Sequence, residues 1–91
     1  MEIVFPKYPS DGFPNRPARA NALDSKTGEL AYLAVLAALN RSSGIAYHAL
    51  SAKEAGATRE EIISAVLVGL PAAGHIVTQS LPLALEAYDH D

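Results

Sequence analysis

The sequence predicts an all-α fold: a small bundle of about four helices behind a Pro-rich N-terminal arm. Three observations carry that expectation. Apolar residues after Leu23 gather in runs of helical length, and none alternates with the period of two that a half-buried strand needs. Thr58-Arg59-Glu60-Glu61 has the spacing of a capping box, the start signal of a helix. Pro6, Pro9, Pro14 and Pro17 exclude a regular helix or a central strand from the first part of the chain.

Residues 1–22 are therefore read as an arm and residues 23–91 as the helical domain. Ile3, Val4, Phe5, Tyr8 and Phe13 give the arm apolar surface to lay over its own domain or a neighbouring subunit. The first helix is expected from Asp24 or Ser25 to Leu39, with Asp24 as N-cap. The second begins near Ser42 or Ser43 and ends before Gly56, a residue suited to the left-handed position after a helix. The third is capped by Thr58 and stops near Gly69 or Leu70, because Pro71 disfavours helical geometry in the residue before it. The fourth covers Ala72 to Tyr88, with Pro82 bending or restarting it.

Composition narrows the function classes. The chain has 91 residues, 49% of them apolar, which suits one small ordered domain. Its net charge is −3 with only seven Lys and Arg, so no basic footprint for nucleic acid is expected. It has no cysteine, which removes disulfides, thiolate ligands and thiol catalysis and suits a reducing, cytoplasmic setting. The start, Met1 to Pro9, lacks the basic head and apolar core of a signal peptide. Residues Ile62 to Leu85 contain no Asp, Glu, Lys or Arg, yet Pro71, Gly74, His75, Gln79 and Pro82 break them. We read that stretch as two buried soluble helices, with no membrane partner. Leu30 to Leu39 and Ile62 to Val68 are apolar almost all round, and such helices need covering on every side. Four short helices cannot do this alone, so a homo-oligomer is expected.

Three segments carry candidate chemistry. They are Leu23-Asp24-Ser25-Lys26-Thr27-Gly28-Glu29-Leu30, Arg41-Ser42-Ser43-Gly44-Ile45-Ala46-Tyr47-His48, and Glu54-Ala55-Gly56-Ala57-Thr58-Arg59-Glu60-Glu61. Their order and spacing resemble the carboxymuconolactone decarboxylase and alkylhydroperoxidase D superfamily. There the pattern is Leu-Asp-x-Lys-Thr-Arg-Glu-Leu, a Cys-x-x-Cys pair followed by Ile-Ala-Tyr-His, and Ala-Gly-Ala-Thr-Arg-Glu-Glu-Ile. Two departures stand out: the cysteine positions fall on Arg41 and Gly44, and the arginine after Lys-Thr is Gly28. The resemblance implies a helical fold, assembly from dimer to hexamer, and a proton relay between His48 and Glu29. It also implies that Tyr47 lines the pocket of His48. Without thiols the family's peroxidase mechanism is closed to this chain.

The residues themselves point to related chemistry. A histidine tuned by a carboxylate moves protons near neutral pH, although a half-buried His48 also serves simply to fix helix packing. Glu29 in a first turn is equally explained by the helix dipole. A plain antiparallel hairpin leaves Glu29 and His48 out of step by roughly 9 Å along the helix axes, so helix arithmetic alone does not join them. Arg41 beside Ser42, Ser43 and Gly44 at a helix start makes an anion site, with Arg41 as a carboxylate clamp. Taken singly, these residues are also ordinary loop and capping residues. His75 with His48 and Glu29 has the donor types for a metal, but no spacing demands one, and neither metal nor cofactor is expected. His90 belongs to the chain end. The functional expectation is a lyase or decarboxylase acting on a small oxo-acid or lactone, using His48 and Glu29 for proton transfer and Arg41, Ser43, Gly44 and Tyr47 for binding. Its alternative is a catalytically inactive oligomeric scaffold or small-ligand binder.

Overall fold

The structure, a computed structural model, describes residues 22–90. Those residues are helical, without a strand among them: α1 Ser25–Leu39, a 3₁₀ turn Ser42–Gly44, α2 Ile45–Glu54, α3 Arg59–Leu67, α4 Leu70–Ala73, a 3₁₀ stretch Gly74–Ser80, and α5 Leu81–Asp89. The expected N-terminal arm lies outside the described residues.

Local chemistry explains most boundaries. Asp24, in extended conformation, accepts the Thr27 N–H at 2.7 Å through its side chain and caps α1 as expected. The helix ends at Asn40, whose φ of 55° is left-handed; its N–H reaches the Ala37 carbonyl and that of Arg41 reaches Leu36. Asn tolerates that conformation better than other non-glycine residues. Gly56 holds φ 104° after α2, as its sequence position predicts. The capping box is complete: Glu61 N–H donates to Thr58 Oγ1 at 3.0 Å and Thr58 N–H to Glu61 Oε1 at 2.9 Å.

The C-terminal third departs from the expected pair of helices. The third helix stops at Leu67 rather than near Gly69 or Leu70. A four-residue α4 then starts with Pro71 in its first turn, where a missing N–H costs nothing. Gly74, at φ 84° and ψ −167°, breaks the run, and residues up to Ser80 continue as 3₁₀. Pro82 sits in the first turn of α5, so it restarts the helix rather than bending it. Both prolines thus mark beginnings. If α3 to α5 are counted as one interrupted run, the described residues form three helical stretches instead of about four.

The core is built from one stripe per helix. Leu33, Leu36 and Ala37 of α1 meet Ile45, Ala49 and Ala52 of α2, Ile62 and Val66 of α3, Val77, and Ala84 of α5. Spacings of three and four residues place each set on one helical face. Ala37, Ala49 and Ala52 are fully buried, and their small side chains let α1 and α2 approach closely. Polar ties close the far end. Arg59 donates twice to Asp89 at 2.9 Å, Tyr88 Oη–H donates to the Ala57 carbonyl at 2.9 Å, and Lys53 Nζ donates to the Tyr88 carbonyl at 2.7 Å.

A single chain leaves part of these apolar helices uncovered, as expected of four short helices. Val35 is 50% exposed, Leu39 62% and Val68 66%. Among the described residues one helical run, Arg59–Asp89, is long and apolar enough to cross a membrane by length and composition, although Gly74 interrupts it.

Candidate functional site

Glu29 and His48 meet in the structure. A hydrogen bond of 2.6 Å joins Glu29 Oε1 to His48 Nδ1, and the residues are 1% and 8% exposed. Glu29 lies one turn into α1, on the stripe that continues through Leu33 and Leu36. His48 lies on the inner face of α2 with Ile45, Ala49 and Ala52.

The offset of roughly 9 Å shrinks mainly because α1 ends at Leu39 and the return begins at Ser42, and the 3₁₀ turn adds only about 1.5 Å to that return. Residues Ser42–Gly44 are 3₁₀, which rises about 2.0 Å per residue instead of about 1.5 Å. From Ser42 the return to His48 is then about 10 Å, against about 15 Å from Glu29 to Leu39. The remaining 5 Å or so is within reach of a Glu and a His side chain.

Two tyrosines flank the imidazole. The Tyr32 ring centroid lies 4.4 Å from that of His48, tilted by 57°, and Tyr47 stands edge-on at 4.9 Å and 89°. Both tyrosines keep an exposed side, 39% for Tyr32 and 46% for Tyr47, so the histidine sits behind an aromatic rim. Gly44 completes the local space: a Cβ there would lie 3.6 Å from His48 Cδ2 and 3.1 Å from Leu36 Cδ1. The absent side chain keeps the ring edge open.

Other sequence candidates are placed less centrally. Arg41 is exposed and precedes the 3₁₀ turn, with its backbone N–H on the Leu36 carbonyl. Ser42 and Ser43 are exposed, and no side chain caps that turn. His75 is exposed at the start of the 3₁₀ stretch, where its carbonyl accepts from the Thr78 hydroxyl at 2.7 Å. Among the described residues no hydrogen bond or ion pair joins it to the Glu29–His48 pair. Among the described residues no cluster of three His, Asp or Glu side chains could hold a metal.

Tyr32 is a neighbour of His48 that no motif in the sequence marks. Its signal was the i, i+3 spacing from Glu29, which sets both side chains on one face of α1. The chemistry of the arrangement follows from its bonding. With Nδ1 engaged by a buried carboxylate, Nε2 is the nitrogen that remains for a ligand, and Glu29 steadies the imidazolium when it forms. The other carboxylate oxygen, Glu29 Oε2, is buried and has no hydrogen-bond partner among the described residues.

A family model described as the carboxymuconolactone decarboxylase family matches residues 15–86. No curated protein matches the chain, and no solved structure does. The matched span contains Glu29, Arg41, Gly44, Tyr47 and His48, and it covers most of the sequence. The chain belongs to the carboxymuconolactone decarboxylase family.

Proposed function

We propose that the chain is a cysteine-free lyase of this family that decarboxylates a small oxo-acid or carboxylated lactone, with His48 as proton donor. The buried 2.6 Å contact between Glu29 and His48 is the observation that supports it. Arg41 holds the substrate carboxylate, and Ser43, Gly44 and Tyr47 border the bound molecule. The bond from the carboxylate carbon to its neighbour breaks and carbon dioxide leaves. The electron pair passes into the conjugated carbonyl as an enolate. His48 Nε2–H then protonates the enolate carbon, and Glu29 balances the charge of the imidazolium beforehand. Each turnover takes up one proton from solvent.

The test is carbon dioxide release from a panel of 3-oxo acids and carboxylated lactones. His48→Gln should lower the rate by about 10²–10⁴, the usual contribution of a positioned general acid, and Arg41→Ala should raise KM. Equal rates in wild type and a folded His48→Gln protein would remove His48 from the chemistry. A second reading is favoured by the exposed apolar residues Val35, Leu39 and Val68: a homo-oligomeric scaffold or small-ligand binder without turnover. Absence of carbon dioxide release across the panel would favour it.

A further inference from the structure

We propose that Pro14-Asn15-Arg16-Pro17, in the part of the chain before the described residues, docks on the Tyr32–Tyr47 rim of its own chain and shields His48. The rim is built from two helices: Tyr32 stands on α1 and Tyr47 on α2, with 39% and 46% of their surface exposed. Their ring centroids lie 4.4 and 4.9 Å from that of His48, so the two tyrosine rings are no farther apart than those distances together. Each ring is an apolar body with a polar tip. Side-by-side aromatic rings are the surface on which Pro-rich segments dock, because proline presets its own φ and little further freedom is lost on binding.

The sequence puts such a segment within reach. Pro14 and Pro17 have Pro-x-x-Pro spacing. In a polyproline II helix, with three residues per turn, two such prolines lie on one side about 9 Å apart. That span matches the limit on the ring separation, so one proline meets each tyrosine. The tether is long enough. Tyr32 lies eight residues beyond Asp24, about 12 Å along α1. Pro14 lies eight residues before Ala22, which reach about 25 Å in the polyproline conformation. No second copy is therefore needed to supply the segment. The cleft between α1 and α3, lined by Leu30, Ala31, Ala34, Ala65 and Val68 among others, has no aromatic ring and is the poorer seat. The docking does not depend on the lyase reading, since it governs access to His48 for any ligand.

The test is paramagnetic broadening in ¹H–¹⁵N and aromatic NMR spectra of the full chain. The protein has no cysteine, so a nitroxide on Ser10→Cys is its single label. The expected result is that signals of Tyr32, Tyr47 and His48 lose at least twofold more intensity than those of Ser64, which lines the α1–α3 cleft. Replacing Pro14 and Pro17 together by Ala should at least halve that difference. Neither proline belongs to the helical core, and the same spectra verify the fold. A mixture of spin-labelled ¹⁴N chain with unlabelled ¹⁵N chain should show no broadening at the rim. Three results overturn the inference: equal broadening of Ser64 and the rim, a difference unchanged by the proline substitutions, or rim broadening in the mixture as large as within one chain, which would assign the segment to a second copy.

Discussion

Glu29 and His48 stabilise each other in a setting where neither is tolerated alone. Burying a carboxylate without partners is costly, and here Oε1 is satisfied by the imidazole. Glu29→Ala removes that acceptor, strands a buried imidazole nitrogen and leaves a cavity. We expect a loss of about 3 kcal/mol in chemical denaturation. Glu29→Gln preserves shape and a hydrogen-bonding amide, and should cost about 1 kcal/mol. Equal losses in the two variants would show that the carboxylate charge, not side-chain volume, governs the position. The glycines give a second contrast. Gly56 has open space around its Cα but a φ of 104°, so Gly56→Ala should destabilise by about 1 kcal/mol through strain alone. Gly44 has a negative φ of −100°, and an added methyl presses on the end of the Leu36 side chain at 3.1 Å and meets His48 Cδ2 at an ordinary 3.6 Å. Gly44→Ala should stay within about 1 kcal/mol of wild type in the same measurement.

At the scale of elements, the caps join neighbouring helices to the sequence that specifies them. Thr58→Ala should cost about 1 kcal/mol in thermal or urea unfolding, because it removes the acceptor of Glu61 N–H at the start of α3. Three carboxylates also set an acid limit. The backbone N–H of Thr27 bonded to Asp24, that of Thr58 bonded to Glu61, and the Arg59 guanidinium bonded to Asp89 hold these groups below their ordinary pKa values. A lowered folded pKa contributes stability that is complete above the unfolded value, about 4, and is lost as pH falls through the lower folded values. Melting temperature should therefore hold near pH 6 and decline below about pH 4, with a shallower decline in Asp89→Asn. These signals were legible because they are local: Asp24 capping α1, the Thr58 box and the left-handed Gly56 all follow from short spacings. What was not legible lay in competing breakers. Pro71 reads as a stop and Pro82 as a bend or a restart; both occupy first turns, so Pro82 restarts its helix, while Gly74 and Asn40 supply the actual breaks. The 3₁₀ turn at Ser42–Gly44 has no such local signal, and the meeting of Glu29 with His48 depends on how α1 and α2 pack.

For the whole molecule, the candidate site and the exposed apolar surface raise different questions. The family and the helical class were readable from motif order alone, and the Glu29–His48 partnership came with the resemblance rather than from helix arithmetic. Tyr32 entered only with the three-dimensional arrangement, since its place beside His48 depends on how α1 and α2 pack. Val35, Leu39 and Val68 leave an apolar face on the single chain. If copies of the chain cover it, the melting temperature should rise with protein concentration, and Val35→Glu should abolish that dependence. A concentration-independent melt would assign those residues no role in assembly.

If Glu29 and His48 form a ligand-responsive site, a ligand bound there stabilises the fold through His48. The direct measurement is a thermal-shift screen of wild type and His48→Ala against small carboxylates, oxo-acids and lactones. A ligand at a hundred times its dissociation constant adds about 2.7 kcal/mol, or about 10–20 °C in a domain of this size. Such a shift is expected in wild type for at least one class, with its loss in the folded mutant. A shift of equal size in both proteins would contradict this expectation, and so would a screen in which no ligand stabilises wild type.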